Sequence, residues 1–294
     1  MNVQLILVGV LGFFWGGFIT PLSIRLAHEY QIIDLPDRRK LHKAVTPRGA
    51  GLGLWAGYLL WSLYFVSEFP AVKFSSAAAT LVFLCGYMDD MKSLSPFVRL
   101  AAHIIAAAMI VLPLPLPVLS KLVCIVWIAG VTSAYNLIDG VNGLCISVFI
   151  FSAISLCFVS GPYFGVFGAA MALGVFCWNF PMAQTFLGDG GSTLLGFLFA
   201  SHFILAASPV IENTPLHELI LLLFLWGGLP AFDTLVAFTR RTLAGKSPFY
   251  PDKGHLHHHL TDITGSNFWV VTCLLAAHSI FMLGGAAVLI NLRH

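Results

Sequence analysis

Long apolar runs separated by short polar ones pattern the whole chain. A bilayer-spanning helix takes about 20 mostly apolar residues, with roughly 17 to 25 admissible. Walked along the sequence, that ruler predicts ten helices, at 3–27, 50–68, 72–88, 97–113, 118–135, 144–160, 163–180, 191–208, 217–238 and 268–290. The interruptions are chemically sensible: Glu68 to Lys73, the prolines Pro113, Pro115 and Pro117, Gly161-Pro162, and Pro209 to Pro215. No linker sets off a soluble domain and no convincing internal repeat is present. The expected architecture is therefore one all-α polytopic membrane bundle over 1–294. The first run is apolar from Val3, with no Lys or Arg before Arg25, whereas a signal peptide would open on positive charge; it is read as a retained helix.

Composition agrees with that pattern. Mean hydropathy is +0.89 and only 10% of residues are charged, against about 25% in soluble domains; a soluble fold of this length could not hide so much apolar surface. The net charge of +2 and the absence of a basic tract argue against a nucleic-acid partner. Cys85, Cys124, Cys145, Cys157, Cys177 and Cys273 stand singly in or beside apolar runs, with no CxxC pair, and read as small core hydrophobes.

Ten alternating spans put five connections on one face, and four connections with both termini on the other. Assigning each basic residue to the nearer face gives twelve Lys or Arg on the first and three (Lys73, Lys121 and Arg293) on the second. Positive residues collect on the cytoplasmic side. The five-connection face is thus expected in the cytoplasm and both termini on the non-cytoplasmic side. Ten of the thirteen acids share that face, so the chemistry is expected there.

Each of those connections has a functional and a plain reading. The first carries Leu35-Pro36-Asp37-Arg38-Arg39-Lys40-Leu41-His42-Lys43 and Thr46-Pro47-Arg48-Gly49. It suits a phosphate pocket, with Lys43 a compact charge on a flexible stem, or simply a positive-inside anchor. Asp89-Asp90 follow Gly86-Tyr87-Met88 at the end of an apolar run. Acids at a helix C-terminus oppose the macrodipole; the pair suits a hard divalent cation or a general base, although helix-end solvation also accounts for it. Asn136-Leu137-Ile138-Asp139-Gly140-Val141-Asn142-Gly143-Leu144 allows close backbone approach to a ligand, or is only a turn. Phe186-Leu187-Gly188-Asp189-Gly190-Gly191-Ser192-Thr193 sets a carboxylate among glycines at a helix start, a possible Mg²⁺ ligand and an ordinary N-cap at once. The last connection contains Arg240-Arg241 and runs through Lys246-Ser247-Pro248-Phe249-Tyr250-Pro251-Asp252-Lys253-Gly254 to His255-Leu256-His257-His258-His259. Four histidines evoke zinc, but with no clustered Cys and no HExxH they are read as phosphate or sugar contacts.

In their order these motifs resemble the polyprenyl-phosphate N-acetylhexosamine-1-phosphate transferase family over nearly the whole chain. The resemblance rests on Asp89-Asp90 with Leu94-Ser95-Pro96, the Asn136 to Leu144 segment, Phe186-Leu187-Gly188-Asp189, and Ser247 to Leu260. It implies a bundle of ten or eleven helices that needs Mg²⁺, with Mn²⁺ as a substitute, and often forms a homodimer. The implied reaction moves a sugar-1-phosphate from a UDP-sugar to undecaprenyl phosphate, a membrane lipid, and releases UMP. It is the first membrane step of cell-surface polysaccharide synthesis, such as O-antigen or cell wall, at the bacterial inner membrane. The Ser-Pro-Phe, Pro-Asp and His-Leu-His-His form of the last connection resembles the UDP-GlcNAc-using branch.

The resemblance also implies roles. Asp89, Asp90 and Asp139 would be catalytic, with Asp189, Asp89 and Asp90 around the metal. Asn136, Asn142 and Gly188 would contact the nucleotide. Lys43, Thr46, Arg240, His255, His257, His258 and His259 would contact phosphate or sugar. One departure stands out: Asn142 occupies a position where bacterial relatives usually carry a second Asp, so no scheme that requires negative charge there applies. A transporter, whose acids often mark an ion path, is the rival class; acids gathered on one face argue against it. A CDP-alcohol phosphatidyltransferase would carry a spaced-aspartate signature that is absent.

Overall fold

Every apolar run of the sequence forms a helix. The structure, a computed structural model, describes residues 3–35, 45–65, 72–247 and 254–293; Lys43 and Lys253 lie outside them. The helices are α1 (Val3–Glu29), α2 (Ala50–Phe65), α3 (Val72–Met91), α4 (Pro96–Val111), α5 (Val118–Ile138), α6 (Leu144–Ser160), α7 (Pro162–Asn179), α8 (Gly188–Ile211), α9 (Leu216–Leu243), α10 (Leu256–Thr264) and α11 (Asn267–Leu292). Two-residue strands, β1 (Ile33–Asp34) and β2 (Thr46–Pro47), pair antiparallel after α1. Among the described residues, α1, α5, α7, α8, α9 and α11 are long and apolar enough to cross a membrane. The chain is an all-α, multi-pass membrane protein.

The helices outrun the apolar runs that predicted them. α3 continues to Met91, α5 to Ile138, and α8 begins at Gly188, ahead of the expected 191. Hydropathy marks the length in lipid, whereas backbone hydrogen bonding carries the helix on into polar sequence. Asp89, Asp90, Asn136 and Asp189 therefore ride on helix ends, where position is better fixed than in a loop. α10 lay in a stretch read as loop. Leu256 and Leu260, four residues apart, pack on the core, and Gly265 in the left-handed region ends the helix.

α8 is the axis of the bundle. It packs against α2, α3, α5 and α6, and its residues from Gly190 through Ile204 are all buried. The reason is the absence of side chains at its start. A Cβ at Gly51 of α2 would stand 2.6 Å from the Gly191 nitrogen, and one at Gly86 of α3 would stand 2.6 Å from the Asp189 carbonyl oxygen. Small residues at such crossings let helix backbones touch. Of the six cysteines, Cys85, Cys124 and Cys145 are buried as expected, while Cys177 and Cys273 are exposed on helix flanks.

α9 is broken at Gly228, where φ is 60° and ψ −153°, two residues ahead of Pro230. A backbone N–H freed inside a membrane needs a partner. The Leu229 N–H donates to His278 Nδ1 of α11 at 3.3 Å, and the other ring nitrogen of His278 lies 2.9 Å from Ser152 Oγ of α6. Ser152 in turn pairs with the Tyr135 hydroxyl of α5 at 3.0 Å.

Candidate active site

The polar ends of these helices enclose a cavity of about 500 Å³. Its wall takes Asp34 and Arg48 from the β1–β2 segment, Asn136, Asp139, Gly140 and Asn142 from the α5–α6 junction, Gly188 and Asp189 from the start of α8, His258 from α10, and Asn267 from the start of α11. Residues of the first, third, fourth and last polar connections thus line one cavity, while Asp89 and Asp90 are not on its wall.

Asp89 and Asp90, adjacent in sequence, do different things. Successive helical residues point about 100° apart. Asp89 turns toward α4: its Oδ2 accepts from Arg99 Nη1 at 2.7 Å, and the same nitrogen donates to Asp189 Oδ2 at 3.1 Å. Asp90 turns into α8. Its Oδ1 accepts the Asp189 N–H at 3.0 Å and its Oδ2 the Gly190 N–H at 3.1 Å. Arg48 Nη1 adds a third donor at 3.2 Å to a side chain only 1% exposed. Asp90 thus caps the start of α8, where a negative charge meets the positive end of the helix dipole. These three bonds make Asp90 a support for the start of α8, beside the catalytic and metal roles expected of it. Gly188, with φ at +69°, makes the turn that brings these N–H groups to Asp90, and a Cβ there would collide with the carboxylate.

Arg48 is the link to the first loop. Its Nη2 donates to Asp34 Oδ1 at 2.7 Å while Nη1 holds Asp90. Burial disfavours its charge, but the two carboxylates outweigh burial and hold its pKa above the ordinary arginine value. Thr46 sits buried in β2, away from the cavity wall. Asp139 is pushed in the opposite sense: burial first, then the charges of Asp189 and Asp90, hold its carboxyl well above the usual carboxylate range. Asn142 lies on the wall with its amide nitrogen donating to the Pro181 carbonyl at 3.3 Å. That bond ties the α5–α6 junction to the connection before α8 and uses a donor, leaving the amide oxygen an acceptor. Asn136 Oδ1 accepts from Ser192 Oγ at 2.9 Å, tying α5 to α8.

The histidine cluster divides. A guanidinium only donates, so the 3.2 Å contact from Arg241 Nη2 makes His255 Nε2 the acceptor; Nδ1–H then donates to Asp233 Oδ2 at 2.7 Å. With both ring nitrogens engaged, His255 ties α10 to Asp233 and Arg241 of α9. Asp233 Oδ1 also accepts the Leu256 N–H at 3.0 Å, capping α10. His257 is buried against Gly140; burial, then the His258 and His255 charges, lower its pKa to about 4, so it is neutral at pH 7. His258 reaches the cavity, His259 is exposed beyond it, and Arg240 holds the Gly254 carbonyl at 2.7 Å away from the wall.

Among the described residues no three His, Cys, Asp or Glu side chains gather as a closed metal cage. Asp89 and Asp189, converging on one Arg99 nitrogen, fit Mg²⁺ nonetheless: that ion takes one or two carboxylates and completes its shell with water and substrate phosphates. Arg48, Arg99, Asp34, Asp233 and Asn267 carried no assigned role in the sequence. Asp233, an acid near the end of an apolar run, is the visible signal; Arg48 stands in the first-loop motif read as a phosphate pocket, and Arg99 counts only as positive-inside charge.

The family described as Glycosyl transferase family 4 matches residues 73–207, which hold the Asp89-Asp90, Asp139 and Asp189 motifs. The chain is 31% identical over 268 residues to the "Probable undecaprenyl-phosphate N-acetylglucosaminyl 1-phosphate transferase" of Bacillus subtilis (strain 168), spanning 82% of this chain and 73% of that one. The chain belongs to glycosyl transferase family 4. Two further relatives extend the likeness over nearly the full length. The "Decaprenyl-phosphate N-acetylglucosaminephosphotransferase" of Mycolicibacterium smegmatis is 28% identical over 97% of this chain and 82% of its own. The "Undecaprenyl-phosphate alpha-N-acetylglucosaminyl 1-phosphate transferase" of Thermotoga maritima is 28% identical over 90% and 84%. Within this family the cavity is the candidate active site of a transferase.

Proposed function

We propose that this protein transfers GlcNAc-1-phosphate from UDP-GlcNAc to undecaprenyl phosphate, releasing UMP, as the first membrane step of a cell-surface polysaccharide. The observation that carries the reading is the cavity wall itself. Three carboxylates (Asp34, Asp139 and Asp189), the start of α8, Arg48 and four amide side chains converge at the polar end of an apolar bundle, where a soluble nucleotide and a lipid head group meet. An oxygen of the lipid phosphate attacks the phosphorus that bears the sugar; the bond from that phosphorus to the bridging oxygen breaks, and the oxygen leaves with UMP.

Both reactants are anionic, so repulsion is the obstacle. Asp89 and Asp189 would hold Mg²⁺, which would supply neutralising charge to the diphosphate. Arg99, held between the same carboxylates, offers a guanidinium that turns to phosphate oxygen once they are engaged elsewhere. The N–H groups at the start of α8 lend partial positive charge. Asn142 and Asn136 present amide edges suited to uracil, and His258 donates to phosphate or sugar. Asp89 takes up a remaining proton of the lipid phosphate or holds the acceptor in line. Lys43 contributes charge from the first loop.

The reading includes topology: ten spans, with both termini outside and the cavity facing the cytoplasm, supported by the twelve-to-three charge bias. Single cysteines at Lys246 or Ser247 in a cysteine-free background should react only with reagents that enter the cell; labelling of intact cells by impermeant reagents would reverse the orientation. The activity is tested with membranes, undecaprenyl phosphate and UDP-GlcNAc labelled in the sugar. Label should move into a butanol-soluble lipid in a Mg²⁺-dependent way, with Mn²⁺ as substitute. Label that stays in water, with the protein present in the membrane, would refute the assignment; a panel of UDP-sugars fixes the donor.

A further inference from the structure

One polar side chain joins the two walls of the cavity. Asn179, the last residue of α7, is 3% exposed and lies on the cavity wall. Its Oδ1 accepts the Gly143 N–H at 2.8 Å, at the end of the segment carrying Asn136, Asp139 and Asn142. Its Nδ2 donates to the Thr185 carbonyl at 2.9 Å, on the approach to Gly188 and Asp189. The Thr185 hydroxyl, fully buried, accepts the Gly49 N–H at 3.3 Å and donates to the Pro47 carbonyl at 3.1 Å, on either side of Arg48. Three cavity-lining segments from distant parts of the chain are thus strung on two side chains.

The carboxylate end of the site is held separately, by Asp90 on the start of α8 and by Arg99 between Asp89 and Asp189. We propose that Asn179 and Thr185 are positioning residues that fix the spacing between the Asn136–Gly143 wall and the remaining walls, and so set affinity for the nucleotide sugar and not the rate of transfer. The identity of that ligand rests on the function proposed above.

The Thr185 pair isolates the string; Asn179 lies on the cavity wall, so its variant also sets a carboxylate beside the ligand. Asn179→Asp keeps the acceptor for Gly143 but sets an oxygen against the Thr185 carbonyl. Thr185→Val keeps shape and removes the hydroxyl, while Thr185→Ser restores it. Calorimetric binding of UDP-GlcNAc to each purified protein should weaken about three- to tenfold in Asn179→Asp and Thr185→Val, the loss of one buried hydrogen bond. Thr185→Ser should stay near wild type. KM should follow binding, with kcat changed less. Because both breaks act on one string, the double variant should bind no worse than about the weaker single one. If Asn179→Asp does not fold, the Thr185 pair decides alone. Unchanged binding in Thr185→Val, or a fall in kcat as large as the rise in KM, would overturn the inference. Wild-type protein that binds the donor but transfers nothing would instead sink the function proposed above, with the binding comparison still deciding the role of Asn179 and Thr185.

Discussion

Replacing Asp90 by Asn tests the division between support and chemistry. The carboxylate accepts two backbone N–H groups at 3.0 and 3.1 Å and the Arg48 guanidinium at 3.2 Å, all beneath the surface. An amide retains one acceptor oxygen and turns a donor on the other side. One N–H at the start of α8 then faces a donor, and Arg48 loses half of its charge pairing. A hydrogen bond to a charged group contributes about 1.5–3 kcal/mol and a buried N–H left unmet costs about 1–3 kcal/mol. Allowing for overlap, the start of α8 should lose about 2–3 kcal/mol. If about half of that appears as misplacement of Asp189, kcat/KM falls about tenfold, since 1.4 kcal/mol is a factor of ten. The assay is lipid-linked label formed against Mg²⁺ concentration, with melting in detergent measured in parallel. Asp90→Asn should melt lower, demand more Mg²⁺ and recover much of its rate when Mg²⁺ is saturating; Arg48→Gln should do the same more mildly. Loss of activity by orders of magnitude at every Mg²⁺ concentration, with unchanged melting, would place Asp90 in the chemistry and refute the capping argument.

Asp189→Asn should differ in kind: activity falls by orders of magnitude, is not restored by Mg²⁺, and membrane insertion is intact; near-normal turnover at limiting Mg²⁺ would move the cation elsewhere. Asn142→Ala should raise the KM for the UDP-sugar more than it lowers kcat, while Asp139→Asn should chiefly lower kcat; the reverse pattern would reject the division of that segment into nucleotide contact and functional acid. Asp139 also gives a pH signature. Folding favours its protonated form, so the wild type loses stability relative to Asp139→Asn as pH rises above about 4, the ordinary carboxyl value, toward its raised one. The variant should therefore melt above wild type at pH 8 with the gap shrinking toward pH 5, and an equal gap at both pH values would count against the raised carboxyl.

Hydropathy alone located every helix but α10, because each span needs a fixed length of apolar sequence, whereas the short α10 lies in polar sequence. The order of the polar motifs then placed Asn136, Asp139, Asn142, Gly188, Asp189 and His258 on one cavity. What escaped were the pairings. Arg48 meets Asp90 across 42 positions and Arg99 meets Asp189 across 90, and a linear reading counts such arginines only as charge. The same blindness made Asp89 and Asp90 look like one unit and His255 to His259 like one cluster. Helical rotation separates the first pair, and the second group is divided by Asp233 and Arg241, which bind one member from below. Asn179 gave no signal at all, since an Asn ending an apolar helix reads as a turn residue.

The contact of bare backbone between α2, α3 and α8 has a mechanical consequence. When a bilayer thickens or thins, helices answer by tilting, and side chains between them slide or repack. Where Gly51 meets Gly191 and Gly86 meets the Asp189 carbonyl there is nothing to slide, so those three helices tilt as one body and carry Asp89, Asp90 and Asp189 together. α9 and α11 meet instead through side chains, His278 on the Leu229 N–H and Trp226 against Gly285, and contacts of that kind can shift. Changing the acyl length of the surrounding lipid should accordingly disturb the placement of His258 and the grip on the donor well before it disturbs the carboxylates.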